Sequence, residues 1–134
     1  MKNRIPLFED VNLNNLEVAK VVGLALKEAA VLTHFFHLAS TNYNEHKVLN
    51  DFYDEINDLF DEFVEQYQGK YETIIFDGSI NIVYTDAYSY IKSLSNFIES
   101  AKESFTESSI EDVLISVIKC TNKTLYLLNI NKDI

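Results

Sequence analysis

Five side chains between positions 34 and 65 have the types and spacing of a metal site: His34, His46, Asn50, Asp61 and Glu65. Imidazole nitrogens and carboxylate oxygens suit iron, and the same set admits zinc or manganese. From Tyr43 to Tyr67 apolar residues recur at Leu49, Phe52, Ile56, Leu59, Phe60, Phe63 and Tyr67. Steps of three and four are the period of a helix with one buried face. Beside that seam run His46, Asn50, Asp54, Asp58, Asp61 and Glu65, which fall within an arc of roughly 120° on a helical wheel. A line of acids on an amphipathic helix is ordinarily solvated surface, so the spacing must carry the argument. Asp61 and Glu65 lie one turn apart and can share an ion. His46 stands 15 residues before Asp61, roughly 22 Å along a helix, so one chain cannot close both around one ion. A second copy packed antiparallel across a two-fold axis brings His46 of one chain to Asp61 and Glu65 of the other, and two-fold dimers are the commonest assembly. The spacing therefore predicts a homo-oligomer with an intersubunit metal site. His37, one turn from His34, reads as a structural or surface histidine rather than a ligand.

These residues resemble the pattern of the Dps-like mini-ferritins, four-helix ferritin-like proteins that oxidise Fe(II) at sites shared between two-fold-related subunits. That pattern is a His late in the first helix, a second His 12 residues on, an Asp four residues later, then an Asp and a Glu 15 and 19 residues after the second His; His34, His46, Asn50, Asp61 and Glu65 stand at those spacings. Asn50 occupies the place of the usual Asp, and Phe35 that of the Trp that follows the first His. The stretch SSIEDVLISVIKCTNKTLYLLNI is similar to the family's last helix, and the likeness covers about residues 12 to 130. The resemblance implies that His34, His46 and Asn50 come from one subunit and Asp61 and Glu65 from its mate. It implies a ferroxidase in which His34, Asp61 and Glu65 form the catalytic core, Glu65 bridging, with His46 at a second, weaker position. Dioxygen or hydrogen peroxide would be the oxidant, and a hollow 12-subunit shell would store the ferric product. The neutral amide of Asn50 lowers cation affinity at the second position. The alternative is a catalytically inert ferritin-like scaffold or interaction protein, for instance phage-encoded, with a vestigial metal site.

The elements that must position these residues are helices. A leading arm, residues 1–12, carries Pro6, which keeps it extended or turned. A first helix is expected from about Asn14 to Ala39, with Leu16, Ala19, Gly23, Leu26, Ala30, Thr33 and His37 on one face. Ser40 to Asn42 break it, and Asn42 with Glu45 can form a capping box. The second helix runs to about Gln68, with Gly69 as the residue after its end. Residues 70–84 admit two readings. Thr73–Phe76, Asp77-Gly78 and Ile80–Val83 have the composition of a small hairpin, whereas the resemblance implies a crossover between helices that run in the same direction. A third helix follows from about Thr85, a candidate N-cap, to Phe105; its seam is Ala87, Ile91, Leu94, Ile98, Ala101 and Phe105. A fourth starts near Ser108, with Glu111 closing a second capping box and Ile110, Val113, Leu114, Val117, Thr121, Leu125 and Leu128 buried. The fold class is thus all-α, a single ferritin-like four-helix bundle with one long crossover.

Composition bounds the rest. The chain has 134 residues, three Gly, one Pro and a net charge of −10, enough for one domain with a core. That charge argues against binding DNA, whose non-specific affinity for proteins comes from Lys and Arg, and is compatible with attracting cations. The single cysteine, Cys120, rules out an internal disulfide framework and reads as a small apolar filler in a reducing compartment. No apolar run approaches the length of a membrane span and no secretory signal is visible, so a cytoplasmic, intracellular protein is expected. Phosphate loops, zinc-protease helices and nucleophile elbows are absent from the sequence.

Overall fold

A computed structural model describes residues 15–80, 82 and 85–130. It contains four helices and, among the described residues, no strand: α1 (Leu16–Ala39), α2 (Tyr43–Lys70), α3 (Ala87–Lys102) and α4 (Ser108–Ile130). The leading arm 1–12 lies outside the described residues. So do positions 81, 83 and 84 of the segment read as a hairpin or a crossover.

The apolar seams settle into one core. All six α2 residues Leu49, Phe52, Ile56, Leu59, Phe63 and Tyr67 are buried, as are Ile91, Leu94 and Ile98 of α3 and Ile110, Val113, Leu114 and Val117 of α4. Each fully buried aliphatic or aromatic side chain contributes on the order of 2 kcal/mol of burial free energy. Cys120 is buried in the same core, where burial first and the Glu55 carboxylate second push its thiol up to about 12. That fits its reading as filler. By length and composition α1 is apolar enough to cross a membrane, but 50% of that stretch is buried in the bundle. Its charges are also engaged: Lys27 donates to Asn57 Oδ1 at 2.9 Å, and Glu28 accepts from the Tyr90 hydroxyl at 2.9 Å.

The helix directions follow from what meets at each end. Asn42 and Glu45 at the start of α2, Asp86 and Tyr88 at the start of α3, and Asn129 at the end of α4 line one hollow of about 280 Å³. At the other end Lys70 pairs with Glu107 at 3.4 Å, and Phe63 and Tyr67 pack edge-on against Phe105. α2 and α3 therefore run the same way. α1 packs on α2 and α3, and α4 packs on α2 and α3. Residues 71–86 must return the chain along the bundle, and their described part does so over α1. Phe76 lies against Gly23, Asp77 pairs with Lys20 at 3.6 Å, and the Ile74 N–H donates to Gln68 Oε1 at 2.9 Å. Among the described residues of this segment the chain bends at Gly78 without forming strands, and Gly78 takes φ 129°, a region open to glycine.

Three helix ends differ from expectation. Asp86, not Thr85, caps α3, its side chain accepting from the Ser89 N–H at 2.8 Å. Gly69 sits inside the last turn of α2 and not beyond it, because the Tyr71 N–H still reaches the Tyr67 carbonyl at 2.9 Å. α3 stops at Lys102, and Phe105 reaches the core from the turn that follows.

The start of α1 is fastened by a buried hydrogen bond. The Tyr67 hydroxyl donates to Asn15 Oδ1 at 2.7 Å, with both residues buried. Burial chiefly, with the Glu72 carboxylate adding, pushes the Tyr67 phenol up to about 12. Tyr67→Phe is expected to lower stability by about 1–2 kcal/mol, since it leaves a buried acceptor without its donor. Urea unfolding checks this, and an unchanged midpoint would show that Asn15 is satisfied some other way.

Candidate functional site

The turn between α1 and α2 is short because it is capped from both sides. Asn42 Oδ1 accepts from the Glu45 N–H at 3.0 Å, as a capping box requires. The Glu45 carboxylate does not reach back to the Asn42 N–H; it accepts from the Ser40 hydroxyl at 2.7 Å, and the Ser40 oxygen takes the Asn42 N–H at 3.3 Å. This tight reversal lays the last turn of α1 against the first turn of α2 and brings their histidines together.

His37 and His46 stack with ring centroids 3.8 Å apart. His37 Nδ1 bonds the His46 carbonyl at 2.6 Å, and His46 Nδ1 bonds the His37 carbonyl at 2.8 Å. A carbonyl only accepts, so each Nδ1 carries the hydrogen, and in the neutral ring the lone pair is left on Nε2. That is the arrangement by which a backbone carbonyl fixes the tautomer of a metal-ligating histidine. His37 is buried and His46 half-buried. His37, expected as a structural or surface histidine, is buried and tied to His46, one of the residues that the spacing assigns to a metal.

His34 lies on the other side of His37, ring centroids 6.0 Å apart, and is exposed. Its face is covered by Tyr53 of α2, with centroids 4.1 Å apart and planes within 8°. The Tyr53 hydroxyl donates to Asn50 Oδ1 at 3.2 Å. Tyr53 thus links two of the proposed ligands across two helices, a role that the sequence reading missed. Its position three residues after Asn50, on the same side of α2, was the available signal. His34, Tyr53, Asp54, Asn57 and Lys27 line a groove of about 230 Å³ between α1 and α2.

Asp61 and Glu65 are exposed on the outer face of α2, with Asp54 and Asp58 in the same line. The buried residues of α2 occupy the opposite side of that helix, so the acidic line points away from the core rather than flanking it. Among the described residues of one chain, no group of three His, Cys, Asp or Glu side chains is close enough to hold an ion. The carboxylate pair and the histidines stay apart within a chain, as their separation along α2 demands. Within one chain the imidazoles and Tyr53 therefore stand at one end of the α1–α2 face, and the two carboxylates stand further along α2.

A family model described as a family of unknown function (DUF5856) matches residues 37–128. The chain belongs to that family. The DUF5856 match begins at His37, so it takes in His46, Asn50, Tyr53, Asp61 and Glu65 and leaves His34 outside. Neither a search of curated proteins nor one of solved structures gave a match.

Proposed function

We propose that the protein is a ferritin-like, Dps-type iron-binding protein that oxidises Fe(II) at a site shared between two chains packed antiparallel about a two-fold axis. The observation that supports it best is the tautomer of His46, whose Nδ1 is committed to a backbone carbonyl, so that Nε2 keeps the lone pair a metal would need. His34, His46 and Asn50 would serve from one chain, and Asp61 and Glu65 from its mate. The parallel course of α2 and α3, with a connection that returns along α1, agrees with a ferritin-like bundle. In this site the carboxylates stabilise the higher charge of Fe(III), the imidazoles complete the coordination, and dioxygen or hydrogen peroxide takes the electrons. Storage of the product in a 12-subunit shell is the corresponding assembly. Zinc or manganese would fit the same donors.

A second reading, an inert scaffold with a vestigial site, is favoured by one observation: Asn50 Oδ1 is already engaged by the Tyr53 hydroxyl. One experiment separates the two. Fe(II) is added in air at about two ions per chain, the stoichiometry of a two-metal site, and Fe(III) absorbance is followed against a protein-free control. Oxidation well above the control, lost in His34→Ala, is expected. A trace that matches the control would overturn the ferroxidase and leave the scaffold.

A further inference from the structure

α2 meets its own chain with one side and solvent with the other. Its six buried residues pack inside the bundle, so a single chain has a complete core. The outer line carries five exposed carboxylates, Asp51, Asp54, Asp58, Asp61 and Glu65, against one exposed ammonium, Lys47. Lys47 pairs with Asp51 at 3.9 Å, and among the described residues no ion pair reaches the other four. Tyr43, in the first turn, is the one large apolar side chain of α2 that is exposed.

A site shared between two chains fixes how two such helices meet. For His46 of one chain to reach Asp61 and Glu65 of the other, the two-fold axis must cross α2 midway between them, at Asp54 and Glu55. In that register Asp54 of each chain faces Asp54 of its copy, and Asp58 faces Asn50. Interfaces that hold on their own have a centre depleted of charged residues, and like charges set against each other oppose association. Carboxylates in contact lie well inside the screening length of about 8 Å. The two α2 faces therefore hold nothing that joins them without a cation.

We infer that the metal ions themselves join the chains: the metal-free protein is a monomer, and binding of Fe(II) drives its dimerisation through α2. The inference rests on the shared-site reading above and adds its regulation. Each ion draws His46 of one chain to Asp61 and Glu65 of the other and offsets the carboxylates around it. An ion that binds only the dimer stabilises the dimer by mass action. The ion that closes one site also brings the residues of the other site together, so the two sites of a dimer fill cooperatively. In the monomer the same acidic line stands open to solvent, where it attracts cations.

The test is sedimentation of the full-length chain under nitrogen, so that no oxidation intervenes, with iron bound per chain measured on the same samples. Metal-free protein is expected to sediment as the 15.4 kDa chain. Added Fe(II) is expected to shift it to a dimer, and a chelator to reverse the shift. Mg(II), which takes oxygen ligands and keeps its waters, is expected to leave the monomer. Glu65→Gln, at an exposed position, is expected to lose the iron-driven dimer. Asp54→Asn removes the charge that meets its own copy, and is expected to tighten the iron-loaded dimer by up to about fivefold, the worth of one exposed charge contact. A dimer in metal-free protein that the chelator leaves intact would overturn the inference and leave the shared site standing. So would a dimer that Mg(II) forms equally well, or an Asp54→Asn dimer no tighter than the wild type. Iron bound by a chain that stays a monomer, or no iron bound at all, would overturn the shared site and the inference with it.

Discussion

Replacing Glu65 with Ala is expected to abolish tight iron binding while leaving the fold intact. Asp61 and Glu65 are the two carboxylates among the five candidate ligands, one turn apart on a single helix, and both are exposed. Carboxylate oxygens carry most of the charge attraction at such a site, and a ligand lost from a pair cannot be replaced by its neighbour at the same geometry. Even partners that only orient a ligand are worth ~10–100-fold in metal affinity, so loss of Glu65 itself should cost about 100-fold or more. Because the side chain is exposed, unfolding stability should change by no more than ~0.5 kcal/mol. The measurement is iron retained per chain against a competing chelator, with Asp58→Ala as the control. Asp58 lies on the same outer face and has the same charge. If both variants weaken binding equally, α2 attracts cations diffusely and has no site. If Glu65→Ala binds as the wild type does, the carboxylate half of the shared site is removed from consideration.

Much of the fold was legible because α2, α3 and α4 each carry one uninterrupted apolar seam. The steps of three and four from Leu49 to Tyr67 named the six buried residues of α2, and of the seven expected only Phe60 is half-buried. Helix ends were less legible. Thr85 and Asp86 are both good caps, and only the register of the Ser89 N–H decides between them. Gly69 has no left-handed φ to mark an end; α2 continues past it because the next N–H still finds a carbonyl.

The candidate site was legible as a list and not as an arrangement. The spacing of His46, Asp61 and Glu65 along α2 is a property of one helix, so the sequence carries it. The His37–His46 stack is a property of two helices, and it follows from the turn. The two histidines stand at nearly equal distances from the centre of the Ser40–Asn42 reversal, which brings them to the same level, and the rotation of each helix about its axis then stacks them. Tyr53 escaped because an aromatic beside a buried stripe reads as bulk. Its significance appears only when α1 lays His34 on its face.

The connection over α1 should show the strongest coupling in the fold. A Cβ at Gly23 would lie 2.6 Å from Phe76 Cε1 and 2.7 Å from its Cζ, closer than packed atoms approach. In an open helix interior Gly→Ala stabilises by ~1 kcal/mol. Here the ring must move, and it is held: Phe60 lies beside it, the adjacent Asp77 pairs with Lys20 at 3.6 Å, and Ile74 is buried two residues before it. Overpacking of this kind costs ~1–3 kcal/mol, so Gly23→Ala should destabilise the wild type by about 1–2 kcal/mol in net terms. In a Phe76→Ala background the obstacle is gone, and the same substitution should stabilise by ~1 kcal/mol. The reversal of sign, read from urea unfolding of the four proteins in a double-mutant cycle, is a coupling of about 2–3 kcal/mol, at the upper end for contacting residues. It also tests the topology. Phe76 is where the returning chain touches α1, so additive effects within ~0.5 kcal/mol would mean that the ring swings aside freely and that the connection between α2 and α3 is not fastened there.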